Sequence, residues 1–154
     1  MIENPEIVEV SEQHAAVLRL TIPRSEIQQV MAPAIGEVIA TVFSQGLAPT
    51  GPIFTYHFRV DPEVFDFNVG VPVASPIAPT GRVTAGKLPA VRAARAIYQG
   101  PYERLGSAWG ELCEWISSQG LSAAKEAWES YVVGPESSSD PASWRTELYR
   151  PLIG

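Results

Sequence analysis

The residue with the clearest chemical potential is Glu129, in the run Ala127-Trp128-Glu129-Ser130-Tyr131-Val132-Val133. Aromatic and β-branched residues dominate this run, which predicts a strand. Side chains of a strand alternate between faces. Ala127, Glu129, Tyr131 and Val133 therefore share one face, and Trp128, Ser130 and Val132 the other. By the same rule Glu147 and Tyr149 share a face of a later strand, and Phe54, Tyr56 and Phe58 a face of an earlier one. A carboxylate beside Tyr131, with Tyr56, Tyr149 and Trp109 as further candidates, would be a negative charge inside an aromatic cage. Ring faces attract a cation through their quadrupole, and the carboxylate adds opposite charge, so the cage suits lipophilic cations. Burial without a cation would favour the neutral carboxyl. A carboxyl poised in that way also suits general acid–base work, with Glu129 as proton donor or water positioner and Tyr131 or Tyr149 orienting it. By spacing alone, a glutamate facing solvent on an edge strand fits equally well. Tyr98 and Trp128 fit a core as well as a cage. Trp109 lies on an apolar helical stripe, where packing is the default, and Tyr56 reads by pattern as a core tyrosine.

Other side chains offer less. His14 and His57 stand far apart, without a ligand-spaced partner, so no metal or other cofactor is expected. Cys113, the single cysteine, excludes an internal disulfide and reads as a packed thiol without a histidine partner. Ser137-Ser138-Ser139 lacks any nucleophile-elbow context. No phosphate-binding loop or dinucleotide glycine fingerprint is present.

The elements that position these residues follow from an internal repeat. Gly36-Glu37 and Ser44-Gln45-Gly46-Leu47 recur as Gly110-Glu111 and Ser118-Gln119-Gly120-Leu121, at a constant offset of 110 − 36 = 120 − 46 = 74. Each block predicts an amphipathic helix. The first carries Ile27, Val30, Met31, Ala34, Ile35, Val38, Ile39, Val42 and Phe43, and the second Leu105, Ala108, Trp109, Leu112 and Ile116. Ser25 with Gln28 suggests a capping box, Pro33 a short first turn followed by a restart, and Gly46 and Gly120 the stops. Strands are expected over 7–10, 14–22, 54–60, 65–71, 83–88, 91–98, 127–133 and 145–152, with a hairpin turn near Asp61-Pro62. Repeat one would cover about 5–73, a Pro-rich linker 74–81, and repeat two about 82–154, within a single domain spanning 1–154. The segment 134–143 reads as an exposed loop. Short connections favour antiparallel pairing, and neither half has enough helix to cover a sheet alone. The expected fold is therefore α+β, a duplicated strand-helix-strand-strand module: a mainly antiparallel sheet with two long helices on one face and a central groove between pseudo-twofold halves.

The 154 residues suit one domain with a sizeable core. A formal charge of −6 and the lack of a Lys/Arg cluster argue against direct nucleic-acid binding. The N-terminal segment does not read as a signal peptide, and no apolar stretch is expected to reach the ~20 residues that span a bilayer. A cytoplasmic protein is the default expectation, with no membrane partner and no attached DNA-binding helix pair.

The run Ala96-Ile97-Tyr98-Gln99-Gly100-Pro101-Tyr102-Glu103-Arg104-Leu105 resembles the H-x-G-P-Y-x-x-L strand-to-helix junction of GyrI-like (gyrase-inhibitor-like) domains, though without its histidine. Ala108-Trp109 and Trp115 match aromatic positions of the helix that follows. Trp128-Glu129-Ser130-Tyr131 with Gly134-Pro135 resembles the family's E-x-Y…P strand, and the run from Trp144 to Leu152 its closing strand. In the first half, Gly51 to His57 and Asp66 to Val73 look like the corresponding motifs. The resemblance spans about 7–152.

The resemblance implies a domain that binds a small molecule, aromatic or cationic, in a groove lined by aromatics around an acid. Carried onto this sequence, the acid is Glu129. The ligand-binding set is Glu129, Tyr131, Tyr149, Tyr56, Phe54, Trp109 and Tyr98. Relatives include effector-binding domains of AraC-type and multidrug-responsive activators, stand-alone inhibitor-like proteins, and hydrolases that open strained cyclopropane rings. Three functions follow as expectations: a stand-alone binder, a hydrolase with Glu129, Tyr131 and Tyr149 in catalytic roles, or an acidic inhibitor docking on a separate protein partner such as gyrase.

Overall fold

The computed structural model describes residues 2–59, 61–134 and 138–153. Pro135 of the expected Gly134-Pro135 motif, and Ser137, lie outside them. Among the described residues, nine strands and two long helices make an α+β fold with predominantly antiparallel pairing, as predicted. The chain divides into two compact units, one of residues 11–90 and one combining 1–10 with 91–154.

In the 11–90 unit, β2 (Gln13–Pro23) pairs antiparallel with β4 (Val64–Pro72) and β5 (Val83–Leu88), and β3 (Phe54–His57) extends the sheet beyond β4. Ala16 and Leu18 of β2 and Phe67, Val69 and Val71 of β4 alternate onto one face. Against them packs α1 (Ile27–Ser44), through Ala34, Val38 and Val42. Pro33 lies inside this helix, which continues through it. The expected restart there is absent: the helix runs on from Ile27, and Pro33 is exposed, on the side away from the sheet core, where it leaves one ladder bond undonated. The capping box is absent too. Ser25 falls within a 3₁₀ turn, Arg24–Glu26, whose first amide donates to Glu63 O at 3.0 Å, so the helix starts from a turn anchored beside β4. With that turn included, Arg24–Ser44 is 21 residues long and apolar enough by composition to cross a membrane, contrary to the sequence expectation. Its apolar stripe is occupied by the sheet core.

In the second unit the strand order is β1 (Ile2–Val10), β6 (Val91–Gln99), β9 (Arg145–Ile153) and β8 (Ala127–Val133), all antiparallel neighbours, with a short β7 (Ser122–Ala123) pairing with the end of β9. Ala94, Ala96, Tyr98 and Leu148 face α2 (Leu105–Ser118) and pack on its Ala108, Leu112 and Ile116. Strand β1 begins five residues earlier than predicted. Asn4, at φ 51°, and Pro5 sit in a register shift between Glu3 and Glu6, an irregularity that an edge strand tolerates.

The two helices end alike. Gly46 (φ 77°) and Gly120 (φ 72°) are left-handed, and the amide that follows each reaches back to the helix, Leu47 N to Val42 O at 3.1 Å and Leu121 N to Ile116 O at 3.2 Å. Both glycines are the stops the sequence predicts, and the bonds they make are those of a Schellman ending.

Candidate functional site

Glu129 stands at the centre of β8, opposite Leu148 of β9, and Tyr131 stands opposite Thr146. Leu148 belongs to the core that packs on α2, so Glu129 and Tyr131 lie on the helix-bearing face. Trp109, near the start of α2, reaches this carboxyl from the helix. Its Nε1–H donates to Glu129 Oε2 at 2.6 Å, and the Tyr131 hydroxyl donates to Glu129 Oε1 at 2.7 Å. Glu129, Tyr131 and Trp109 are each half-buried. An indole N–H can only donate, so Oε2 is held as an acceptor. Charge-assisted bonds of this length fix the plane of the carboxyl and close Trp109 and Tyr131 around it.

Two further rings continue outward. Tyr102 meets Tyr131 edge-on at 5.7 Å between centroids, and Trp144 lies tilted on Tyr102 at 4.8 Å. Tyr102 opens a 3₁₀ turn, Tyr102–Arg104, directly after β6. Gly100 makes the turn possible: its φ is 140°, and a Cβ there would meet the Tyr98 hydroxyl at 3.0 Å. That hydroxyl donates to Pro101 O at 2.6 Å. Tyr98 is therefore a buried core residue, 2% exposed, that fixes the junction carrying Tyr102. Sequence reasoning left Tyr102 and Trp144 out of the site. Both sit just outside strands, where face alternation has no force, and the Gly-Pro-Tyr junction was the only signal for the first.

The structure does not bring Tyr149 to Glu129. Tyr149 is opposite Trp128, one residue out of step, and so lies on the other face of the sheet. There it stacks on Trp128 at 4.8 Å with planes 12° apart. Its hydroxyl donates to Glu147 Oε1 at 3.2 Å and accepts from Arg95 Nε at 3.3 Å, while Arg95 also bonds Glu147 Oε2 and pairs with Glu6. Burial holds the Tyr149 hydroxyl above its usual pKa, partly offset by the Arg95 hydrogen bond. Tyr149 is thus placed away from Glu129, contrary to the sequence expectation, and the tyrosine that bonds the carboxyl is Tyr131.

Phe54 and Tyr56 belong to the 11–90 unit, where Phe54 is 1% exposed and Tyr56 packs edge-on against Phe58 at 5.5 Å. His57 stacks on Phe67 at 5.1 Å. Cys113, on α2, has its sulfur 3.9 Å from Arg150 Nη1. Among the described residues no three His, Cys, Asp or Glu side chains gather in a way that could hold a metal ion.

The Glu129 carboxyl is thus held between one indole and one phenol on the helix-bearing face of this α+β scaffold. The chain belongs to the GyrI-like small molecule binding domain family, which matches residues 3–153. It is similar to the crystal structure of the EcmrR C-terminal domain, at 25% identity and a TM-score of 0.86 over 99% of both chains. It also matches EcmrR in its complex with DNA, at 24% identity and a TM-score of 0.84, where 97% of this chain spans 57% of that one. At lower identity the fold alone is shared. SAV2435 bound to tetraphenylphosphonium is 13% identical with a TM-score of 0.72, covering 98% of this chain and 94% of that one. A hydrolase from Listeria innocua is 14% identical with a TM-score of 0.67, covering 98% and 92%. No functionally curated protein matches the sequence.

Proposed function

We propose that this domain binds lipophilic aromatic cations, in a cytoplasmic setting that suits the lone free cysteine, with Glu129 as the charge anchor. The supporting observation is the pair of donors on the Glu129 carboxyl, Trp109 Nε1–H and Tyr131 O–H, which hold both oxygens as acceptors between two aromatic side chains. Such a carboxyl attracts positive charge, and the rings add cation–π contacts. Tetraphenylphosphonium, bound by SAV2435, has this chemistry: one delocalised positive charge under four phenyl rings.

Titration of tetraphenylphosphonium, followed by tryptophan fluorescence, tests the reading. Glu129→Gln keeps the shape and removes the charge. The expected result is affinity lower by about tenfold or more, a loss of roughly 1.4 kcal/mol, with an unchanged circular-dichroism spectrum. Equal affinity of the two proteins would refute the anchor role.

A hydrolytic reading has one observation in its favour. The Tyr131 hydroxyl can accept as well as donate, so Oε1 is where Glu129 could carry a proton for transfer to a strained or electrophilic substrate. Donor-only Trp109 supports the cation reading on the other oxygen. Product analysis of every ligand found in the titration separates the two: turnover lost in Glu129→Gln marks an enzyme, and intact ligand marks a binder.

A further inference from the structure

We propose that the free edge of β5 is a docking strand for a second copy of this chain, each β5 pairing antiparallel with the other about Gly86.

Among the described residues β5 pairs with β2 alone, and the backbone bonds show which of its groups that pairing leaves over. In an antiparallel pair, opposed residues alternate between those that bond each other and those whose N–H and C=O point away. Val83 is opposite Leu18, yet its N–H donates to Thr80 O at 3.0 Å and its C=O accepts from Thr80 N at 2.9 Å. His14, opposite Lys87, turns its C=O away from β5, to accept from Val73 N at 2.9 Å. Both bonds put Val83, Ala85 and Lys87 in the outward set, and Thr84, Gly86 and Leu88 in the set bonded to β2. Thr80 occupies the groups of Val83. Ala85 and Lys87 direct theirs along the edge, and Thr84, Ala85 and Lys87 are exposed.

This edge lacks the features that blunt one. Strand β1, which likewise has a single partner among the described residues, carries Asn4 at φ 51°, Pro5, a register shift between Glu3 and Glu6, and exposed glutamates. Strand β5 keeps an unbroken register on β2 and has no proline. Its one charge, Lys87, is paired with Glu12 at 3.1 Å.

The spacing commits the occupant to a second copy. With Gly86 opposite the partner's Gly86 on a twofold axis, Ala85 stands opposite the partner's Lys87 and Lys87 opposite the partner's Ala85. Every outward group of the four residues then finds a mate. Gly86 falls in the closer, non-hydrogen-bonded kind of pair and brings no side chain to it. Glycine is required there by β2 as well, since a Cβ would meet Val17 Cγ2 at 2.7 Å. A slip of two residues one way sets Lys87 opposite the partner's Val83, whose groups are taken. A slip of two the other way sets Lys87 opposite the partner's Lys87, and like charges directly opposed are unfavourable.

Sedimentation equilibrium from about 10 μM to 1 mM should show a reversible dimer with a dissociation constant on the order of 0.1 mM, weak because so short a pairing lies below standard interface size. Over that range, amide exchange read by NMR should slow several-fold at Ala85 and Lys87 and stay constant at Thr84 and Gly86, which β2 already protects. Ala85→Glu places an acid opposite the partner's Lys87 and should tighten the dimer at least threefold, whereas Ala85→Lys should loosen it as much. Association governed by the net charge of −6 would give the reverse order, since the lysine lowers that charge and the glutamate raises it. Ala85→Pro removes an outward N–H and no bond to β2, and should abolish the dimer with an unchanged circular-dichroism spectrum. If Ala85→Pro does not fold, the two charge variants carry the test. A wild type that stays monomeric to 1 mM overturns the proposal, even if a strand of another protein were then found on the edge. So does a dimer indifferent to Ala85, or one that leaves exchange at Ala85 and Lys87 unchanged.

Discussion

The Thr146 hydroxyl is buried in β9 without a hydrogen-bond partner among the described residues. It lies across from Tyr131 on one side and Tyr98 on the other, and both spend their own hydroxyls elsewhere, on Glu129 and on Pro101. A buried hydroxyl left unsatisfied costs folding free energy, and valine presents nearly the same shape without that cost. Thr146→Val should therefore stabilise the protein by about 1 kcal/mol, raising Tm by about 2–4 °C for a chain of this size. A lowered Tm would show that the hydroxyl is satisfied in solution. At this scale the sequence was partly legible. Glu129 and Tyr131, two apart on a strand, had to share a face whatever the rest of the fold did. Tyr149 was misplaced because alternation within β9 pairs it with Glu147 but does not fix which face of β9 meets Glu129. A one-residue register choice settles that, and it lies in the pairing of β8 with β9.

At the scale of elements, alternation and helical periodicity located nearly every strand and both helices, because each buries one face. Helix starts were less legible. Ser25 and Gln28 have the spacing of a capping box, yet the tertiary bond from Arg24 N to Glu63 O takes over the start of α1 and turns Ser25 into part of a 3₁₀ turn. Asp66 on β4 shows how side chains tie neighbouring strands. It accepts from Arg19 Nη2 at 3.0 Å and from Thr21 Oγ1 at 3.1 Å, both on β2, and pairs with Arg59 beyond β3. Burial pushes its carboxyl up, but the hydrogen bonds from Arg19 and Thr21 and the charges of Arg19 and Arg59 outweigh that and hold it below its usual value. A carboxyl lowered in the folded state stabilises above its unfolded pKa, near 4, and loses that contribution as pH falls through the folded value. Asp66→Asn should therefore be less stable than the wild type at pH 7, with the gap narrowing below about pH 4. Urea denaturation at pH 7, 4.5 and 3 measures it, and a gap independent of pH would assign the Asp66 contribution to packing.

Across the whole molecule the 74-residue offset is visible in sequence, but the route of the chain is not. Strand β1 opens the chain yet pairs with β6, while β5, after the 74–81 segment, pairs with β2. Hydrophobic pattern fixes which residues face a core and carries no information on which strand lies alongside, since either partner buries the same face. Net charge, in contrast, is fully legible and bears on binding. At −6 the chain draws cations toward it from solution before any contact with Glu129 is made. That long-range attraction is screened over about 10 Å at 0.1 M salt, whereas the contact with a half-buried carboxyl is screened less. Raising ionic strength from about 0.01 to 0.5 M should thus slow association of 10-methylacridinium several-fold and leave its dissociation rate nearly unchanged. Stopped-flow fluorescence resolves the two rates, and neutral acridine at high pH serves as the control that salt should not slow. If salt acted on dissociation instead, the charge that matters would be the one in contact with the ligand, and the global field would have no part in capture.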